Sequence, residues 1–321
     1  MSLFVSCKPS FPLLTPAFLS LTSLTLNCVL ADRLETIDPQ MDGSARAVDT
    51  THQAKFIMRR VQFIEIHEQP WVPSSIRDGI TDALQFGLNF SKPYAPIFPL
   101  LRSALDLTGR RAVVDLCSGG GGPWVDLSRQ LRVASPDVQI WLTDKYPNLG
   151  ALQKVNAASN DHLSYYLPSV DATKVPLGLK GLRTMFTSFH HFSPEDAHDI
   201  LQNAVDAGEG IGIFEVTRRG MSTIGIISAW VLMLFVCTPW IRPFRWSRLF
   251  WTFLVPIIPI VLLFDGVVSC LRTYRPQELR AMVDKLTAGE YEWEIGEYST
   301  GRVPVTYLIG CPRALAREFI Q

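Results

Sequence analysis

The segment Ala112-Val113-Val114-Asp115-Leu116-Cys117-Ser118-Gly119-Gly120-Gly121-Gly122 constrains this 321-residue chain more than any other. It opens as a short apolar run with β-branched Val113 and Val114, the pattern of a strand buried on both faces. Four glycines follow at once, and Pro123 to Leu131 then takes up helical spacing. Strand, glycine turn and helix in immediate succession bring bare backbone N–H groups against a ligand. A Cβ at such a turn blocks close approach or forbids a left-handed backbone. A purely structural turn has the same letters, so the deciding residues lie downstream.

The pattern resembles that of the class I S-adenosylmethionine (SAM) dependent methyltransferases: an apolar strand, an acid, then Gly-x-Gly-x-Gly. Asp115 takes the acidic place, and Gly119 and Gly121 take the second and third glycine places. Cys117 stands where the first glycine usually stands, with Ser118 beside it. A dinucleotide-binding turn is the nearest rival, but its Gly-x-Gly-x-x-Gly fingerprint is not spelled here.

The rest of the chain follows the resemblance in order. Val138 to Asp144 reads as a second strand ending in an acid, before a helix over Asn148–Asn156. An acid at this place accepts hydrogen bonds from both ribose hydroxyls, so Asp144 is the expected ribose clamp. Ser164 to Leu167 is a third strand, and the resemblance assigns Asp171 after it to the adenine amino group. Leu182 to Phe192 reads as a fourth strand running into the active-site turn, with the pair His190-His191 that many small-molecule methyltransferases of this class carry.

Imidazole titrates near neutrality, so His190 or His191 is the expected general base, with Glu215 at the end of the fifth strand, Ile211–Val216, as an alternative. On an extended chain adjacent residues face opposite ways, and no third ligand is at hand, so no metal centre is expected. A helix over Pro194–Ala207, another over Arg275–Leu286, and strands at Tyr291–Ile295 and Val305–Ile309 complete the order. The expected fold is α/β: a Rossmann-like seven-stranded sheet, its last strand antiparallel, with N-terminal helices and an inserted hydrophobic helical hairpin.

Upstream, residues 1–31 carry a single charge, Lys8, and suit a signal or transit segment, a weak anchor or a tail, with Met41 as another possible start. Residues 32–51 read as linker. From 52 to 110 a helical cap is expected, with helices over Ile76–Asn89 and Ala95–Leu107. There Glu65, His67, Trp71 and Tyr94 are candidate pocket residues, the bland reading being a core Trp71 and a solvated His67. The SAM-binding core is expected over 111–219 and its completion over 272–321.

Between them, 220–271 is the unusual feature. Met221 to Ile241 has no charge and is long enough to cross a bilayer. Leu249 to Phe264 is a second apolar run, broken by Pro256 and Pro259. Arg242, Arg245 and Arg248 lie between the two runs. A spanning hairpin would put those arginines on the far side, against the tendency of basic loops to stay cytosolic. A re-entrant or interfacial hairpin fits better, with the arginines at lipid headgroups and Trp230, Trp240, Trp246 and Trp251 at the boundary. A buried helical pair forming a lid or dimer face is one alternative, and a full two-span hairpin is another, because the charge rule is statistical.

A formal charge of +0 gives no sign of a nucleic-acid partner, and six scattered cysteines suggest neither disulfides nor zinc. The expectation is therefore SAM-dependent methyl transfer to a lipophilic small molecule at a membrane surface, with the catalytic domain on the cytosolic side. A non-catalytic SAM-fold membrane scaffold and an NAD-dependent oxidoreductase are the rivals. Nothing in the sequence speaks to oligomeric state.

Overall fold

The computed structural model describes residues 59–147, 163–287, 291–298 and 304–313. The expected leader, the linker and the helix over Asn148–Asn156 lie outside the described residues.

Seven strands form one sheet: β1 Ala112–Asp115, β2 Gln139–Leu142, β3 Leu163–Tyr165, β4 Leu182–Phe186, β5 Ile211–Glu215, β6 Tyr291–Tyr298 and β7 Val305–Pro312. Their order is β3-β2-β1-β4-β5-β7-β6. Strands β1 to β5 pair in parallel, and β7 lies antiparallel to both β5 and β6. The expected sheet is thus present, with β7 running against the rest.

Successive side chains on a strand point to opposite faces, and both faces of this sheet are covered. Val113 packs with Leu101, Leu105, Trp124 and Leu127 on one face, from helices α2 (Phe98–Thr108) and α3 (Trp124–Ala134). Val114 packs on the other with Ile200, Leu201 and Leu279, from α4 (Pro194–Asp206) and α8 (Pro276–Val283).

The insertion follows β5 but is not a plain hairpin. It consists of α5 (Met221–Cys237), a short α6 (Trp246–Leu249), a π turn (Phe250–Leu254) and α7 (Ile257–Arg272). The chain bends by 79° between the π turn and α7, where Pro256 removes a donor. Helix α7 runs on past Asp265, whose carboxylate accepts from the backbone N–H groups of Ile66 at 2.7 Å and His67 at 3.0 Å.

Helix α1 (Ser74–Ser91) follows Pro73 and ends at Lys92, whose φ of 45° breaks the helix. Its buried face is Ile76, Gly79, Ile80 and Ala83, and it shares one core with Val231, Leu234, Ile258 and Leu262 of the insertion. A Cβ on Gly79 would meet Ile258 at 2.6 Å, and one on Gly87 would meet Trp230 at 2.8 Å, so glycine sets how closely α1 and the insertion approach. The expected cap and insertion are therefore one packed layer.

The arginines correct the expected headgroup contact. Arg245 pairs with Asp82 at 2.7 Å and Asp78 at 3.1 Å, and Arg248 pairs with Asp82 at 2.8 Å. The Arg248 side chain is 1% exposed and also donates to the carbonyls of Ile241 and Pro243. Only Arg242 of the three is exposed. A basic loop beside an acidic helix face finds protein partners before lipid ones. Trp230 and Trp251 likewise turn inward, onto Phe86 and Ser75, whereas Trp240 and Trp246 are 67% and 78% exposed.

Of the alternative, a buried helical pair, α7 has the burial, with eight of its sixteen residues enclosed, and α5 does not. Among the described residues one helix, Met221–Trp240, is long and apolar enough to cross a membrane by length and composition, and 17% of its apolar window is buried.

Candidate active site

The carboxyl edge of the sheet gathers the sequence-predicted residues into two neighbouring groups. The first is the glycine turn. Cys117, Gly119, Gly121 and Gly122 all have positive φ, at 57°, 49°, 92° and 48°. That geometry explains both the glycines and why a cysteine here is a departure, since left-handed backbone crowds a Cβ. A Cβ on Gly119 would meet nothing within 4 Å, so the turn presents open backbone to a ligand.

Asp144, just beyond β2, accepts from Gly119 N–H at 2.9 Å through one oxygen and from Tyr146 N–H at 2.8 Å through the other. Its carboxylate is thereby fixed at the mouth of the turn, with further lone pairs for two vicinal hydroxyls. These features fit a SAM molecule with its ribose on Asp144.

Asp115 is placed differently from the expected direct contact. It is buried behind the turn, accepting from Ser118 Oγ at 2.6 Å and Thr184 Oγ1 at 2.7 Å. Burial pushes its carboxyl up to about 7, against those hydrogen bonds. Asp115 and Ser118 therefore shape the turn from inside. Burial also pushes the Cys117 thiol above its ordinary range, so it is no thiolate nucleophile. Asp171 is held by Lys145 at 2.7 Å and by Thr173, and the Lys145 contact pulls its carboxyl down to about 2.

The second group surrounds the histidine pair, and here the expectation of an extended chain is corrected. Phe189–His191 is a 3₁₀ turn, and the His190 and His191 rings lie 4.3 Å apart, tilted by 32°. A helical turn has no strict alternation, so both rings point toward one region, where Glu65 is a third ligating group. His190 is 1% exposed, with Nδ1 2.8 Å from Glu215 and Nε2 3.6 Å from Glu65. Burial disfavours its charged form, but Glu215 and Glu65 outweigh it and push the imidazole up to about 9. An enclosed ring whose two nitrogens both face carboxylates is not free to act as a general base.

Glu215 is not free for that role either. Besides His190 Nδ1, it accepts from the N–H groups of Phe189 at 2.8 Å and His190 at 3.2 Å. It holds the turn in shape. His191 keeps some exposure, with Nδ1 2.8 Å from Glu68 Oε1.

Several residues of this group were legible only as pocket candidates or not at all. Glu65 is buried, accepts from Ser269 Oγ at 2.8 Å, and lies 3.4 Å from Arg272 Nη1. Although burial opposes ionisation, His190 draws the Glu65 carboxyl down to about 2. His67 is tied to Asp265 at 2.8 Å, so it is not simply solvated. Tyr94 is buried and hydrogen-bonded to Thr187 at the end of β4. Trp71, at 68% exposed, belongs neither to a core nor to this cluster. Sequence reasoning missed Asp265, Ser269 and Arg272. The signal was three polar side chains at i, i+4 and i+7 in an otherwise apolar helix.

The strand order and the glycine turn together define the fold of the class I SAM-dependent methyltransferases. No family model matches the sequence, and no curated protein matches it. Among solved structures, the chain is similar to an O-methyltransferase family 2 protein from Planctomyces limnophilus in complex with apigenin. The identity is 10% and the TM-score 0.47, over 76% of this chain and 63% of that one. It is similar also to the O-methyltransferase NcsB1 of neocarzinostatin biosynthesis, solved with SAM and 2-hydroxy-5-methyl naphthoic acid (13%, TM-score 0.43, 73% and 58%). A third is the pyocyanin biosynthetic protein PhzM (16%, TM-score 0.41, 69% and 56%). The chain thus spans less than two thirds of the length of each, and the likeness is one of fold.

Proposed function

We propose that this protein transfers the methyl group of SAM to a lipophilic small molecule at a membrane surface. The observation that carries the reading is the fixed Asp144 carboxylate facing the open backbone of Gly119, at the edge of the sheet from which an exposed apolar helix also emerges. SAM supplies an electrophilic methyl group on sulfonium, and its transfer is an in-line displacement. The residues then have to align the two reactants and exclude water. Asp144 orients the ribose, Asp115 and Ser118 hold the turn, and Glu215 fixes the His190–His191 turn on the acceptor side.

The membrane part rests on the insertion. Leu232, Phe235, Val236, Trp240, Phe244 and Trp246 are all exposed, an apolar area that favours a lipid surface over water. Entry of a lipophilic acceptor from that surface follows from the position of the insertion directly after β5.

The test is calorimetric titration of detergent-solubilised protein with S-adenosylhomocysteine. Micromolar binding that disappears in Asp144→Ala is expected; absence of binding by folded protein would return the scaffold reading. Membrane contact is tested on the surface, since deleting the insertion would uncover Ile76, Ile80 and Ala83 of α1. The variant Leu232→Ser/Val236→Ser/Trp240→Ser should float less with phosphatidylcholine vesicles while binding S-adenosylhomocysteine unchanged. Unchanged flotation would refute the membrane part.

A further inference from the structure

The group around the histidine turn contains more ligating chemistry than methyl transfer requires. One oxygen of Glu65, one nitrogen of His190 and one of His191 lie within 4.8 Å of one another. His190 Nε2 and His191 Nδ1 are 3.6 and 3.9 Å from Glu65 Oε1. His190 Nε2 is a buried polar atom with no hydrogen-bond partner, on a side chain 1% exposed, and it points into this space. A buried polar atom of that kind needs a partner, an ion or a water among them.

The surroundings match what metal-binding histidines have. The other nitrogen of His190 is fixed on a carboxylate, Glu215 at 2.8 Å, which sets ring orientation and basicity. Glu65 is itself oriented by Ser269 Oγ at 2.8 Å. Glu68 Oε1, 2.8 Å from His191 Nδ1, stands ready as a fourth ligand.

Charge points the same way. The carboxylates of Glu65, Glu68, Glu215 and Asp265 share this cluster with the guanidiniums of Arg60 and Arg272. The carboxylates outnumber the guanidiniums by two, with His67 facing Asp265 and Glu65 as a further imidazole, so the space between Glu65, His190 and His191 favours a cation.

We propose that Glu65, His190 and His191 bind a divalent transition-metal cation. Two imidazoles and a carboxylate suit zinc or another first-row cation rather than calcium or magnesium, which prefer all-oxygen sets. Binding displaces the protons that otherwise occupy the cluster, so it releases acid. The cation would sit at the histidine turn after β4, next to Glu215 at the end of β5. A role for it in activating the methyl acceptor rests on the function proposed above; the binding itself does not.

The test uses full-length, chelator-treated protein titrated with Co(II), and S-adenosylhomocysteine binding is measured on the same samples. One equivalent of Co(II) should bind, with visible ligand-field bands and proton release, and Zn(II) should displace it. Affinity should fall at least about 100-fold in Glu65→Gln and His191→Asn, and about 10–100-fold in Glu215→Gln as an orienting partner. His191 is partly exposed, so its variant reads the site even if Glu65→Gln fails to fold. No Co(II) uptake by protein that still binds S-adenosylhomocysteine would overturn the proposal, as would uptake that both ligand variants leave unchanged. Co(II) binding without S-adenosylhomocysteine binding would sustain the metal site and sink the methyltransferase reading.

Discussion

Arg272, the last residue of the inserted helix α7, donates to the carbonyl of His191 at 2.6 Å. The same guanidinium reaches the His190 carbonyl at 3.3 Å and Glu65 at 3.4 Å. The far end of an apolar insertion therefore helps to build the turn after β4. Arg272→Met should leave Glu65 buried beside fewer positive charges and cost about 3–5 kcal/mol, the range for a broken buried pair. Chemical denaturation measures it, and a loss below about 1 kcal/mol would show that the contact is incidental.

The pairing of Asp82 with Arg248 locks the insertion onto α1. Asp82→Ala removes the one carboxylate, among the described residues, paired with the almost fully enclosed Arg248 guanidinium, with a cost of about 3 kcal/mol. The released loop should also become a cleavage site, so limited trypsinolysis at Arg245 or Arg248 is expected in the variant and not in the parent protein.

Cys117 sits at φ 57°, a conformation that costs a non-glycine residue about 1–2 kcal/mol. Glycine relieves that cost but loses about 0.5–1 kcal/mol of chain freedom. Cys117→Gly should therefore be neutral or stabilising by up to about 1 kcal/mol, with S-adenosylhomocysteine affinity retained. Cys117→Val, β-branched at the same φ, should lower the denaturation midpoint clearly. A Val variant as stable as the parent would contradict the backbone argument.

Asp115 yields a pH dependence of definite sign. Burial raises its carboxyl to about 7 in the folded protein, whereas an unfolded aspartate titrates near ~3.9. The folded state holds the proton more tightly, so this group's contribution is full below ~4 and is lost as pH rises through about 7. Denaturation midpoints of ligand-free protein should fall between pH 5 and 8, and Asp115→Asn should flatten that slope. An identical slope in the variant would assign the effect elsewhere.

The sheet and the glycine turn were legible in the sequence because their causes are local. Val113 and Val114 are apolar on both faces, four glycines follow within a few residues, and β-strand and helix periods alternate in the order the fold requires. The same holds for the position of Asp144 beside the turn, since the end of a strand is marked by its own pattern. Tertiary structure decided the rest. Ser269 meets Glu65 across 204 residues of chain, and Arg245 meets Asp82 across 163, pairings that no spacing encodes. The histidine pair was misread because its neighbours suggested an extended chain, whereas Glu215 draws the backbone of Phe189 and His190 into a 3₁₀ turn. A buried charge must find its partner wherever the packed fold brings one, and that distance in space is fixed only when the helices and the sheet have come together.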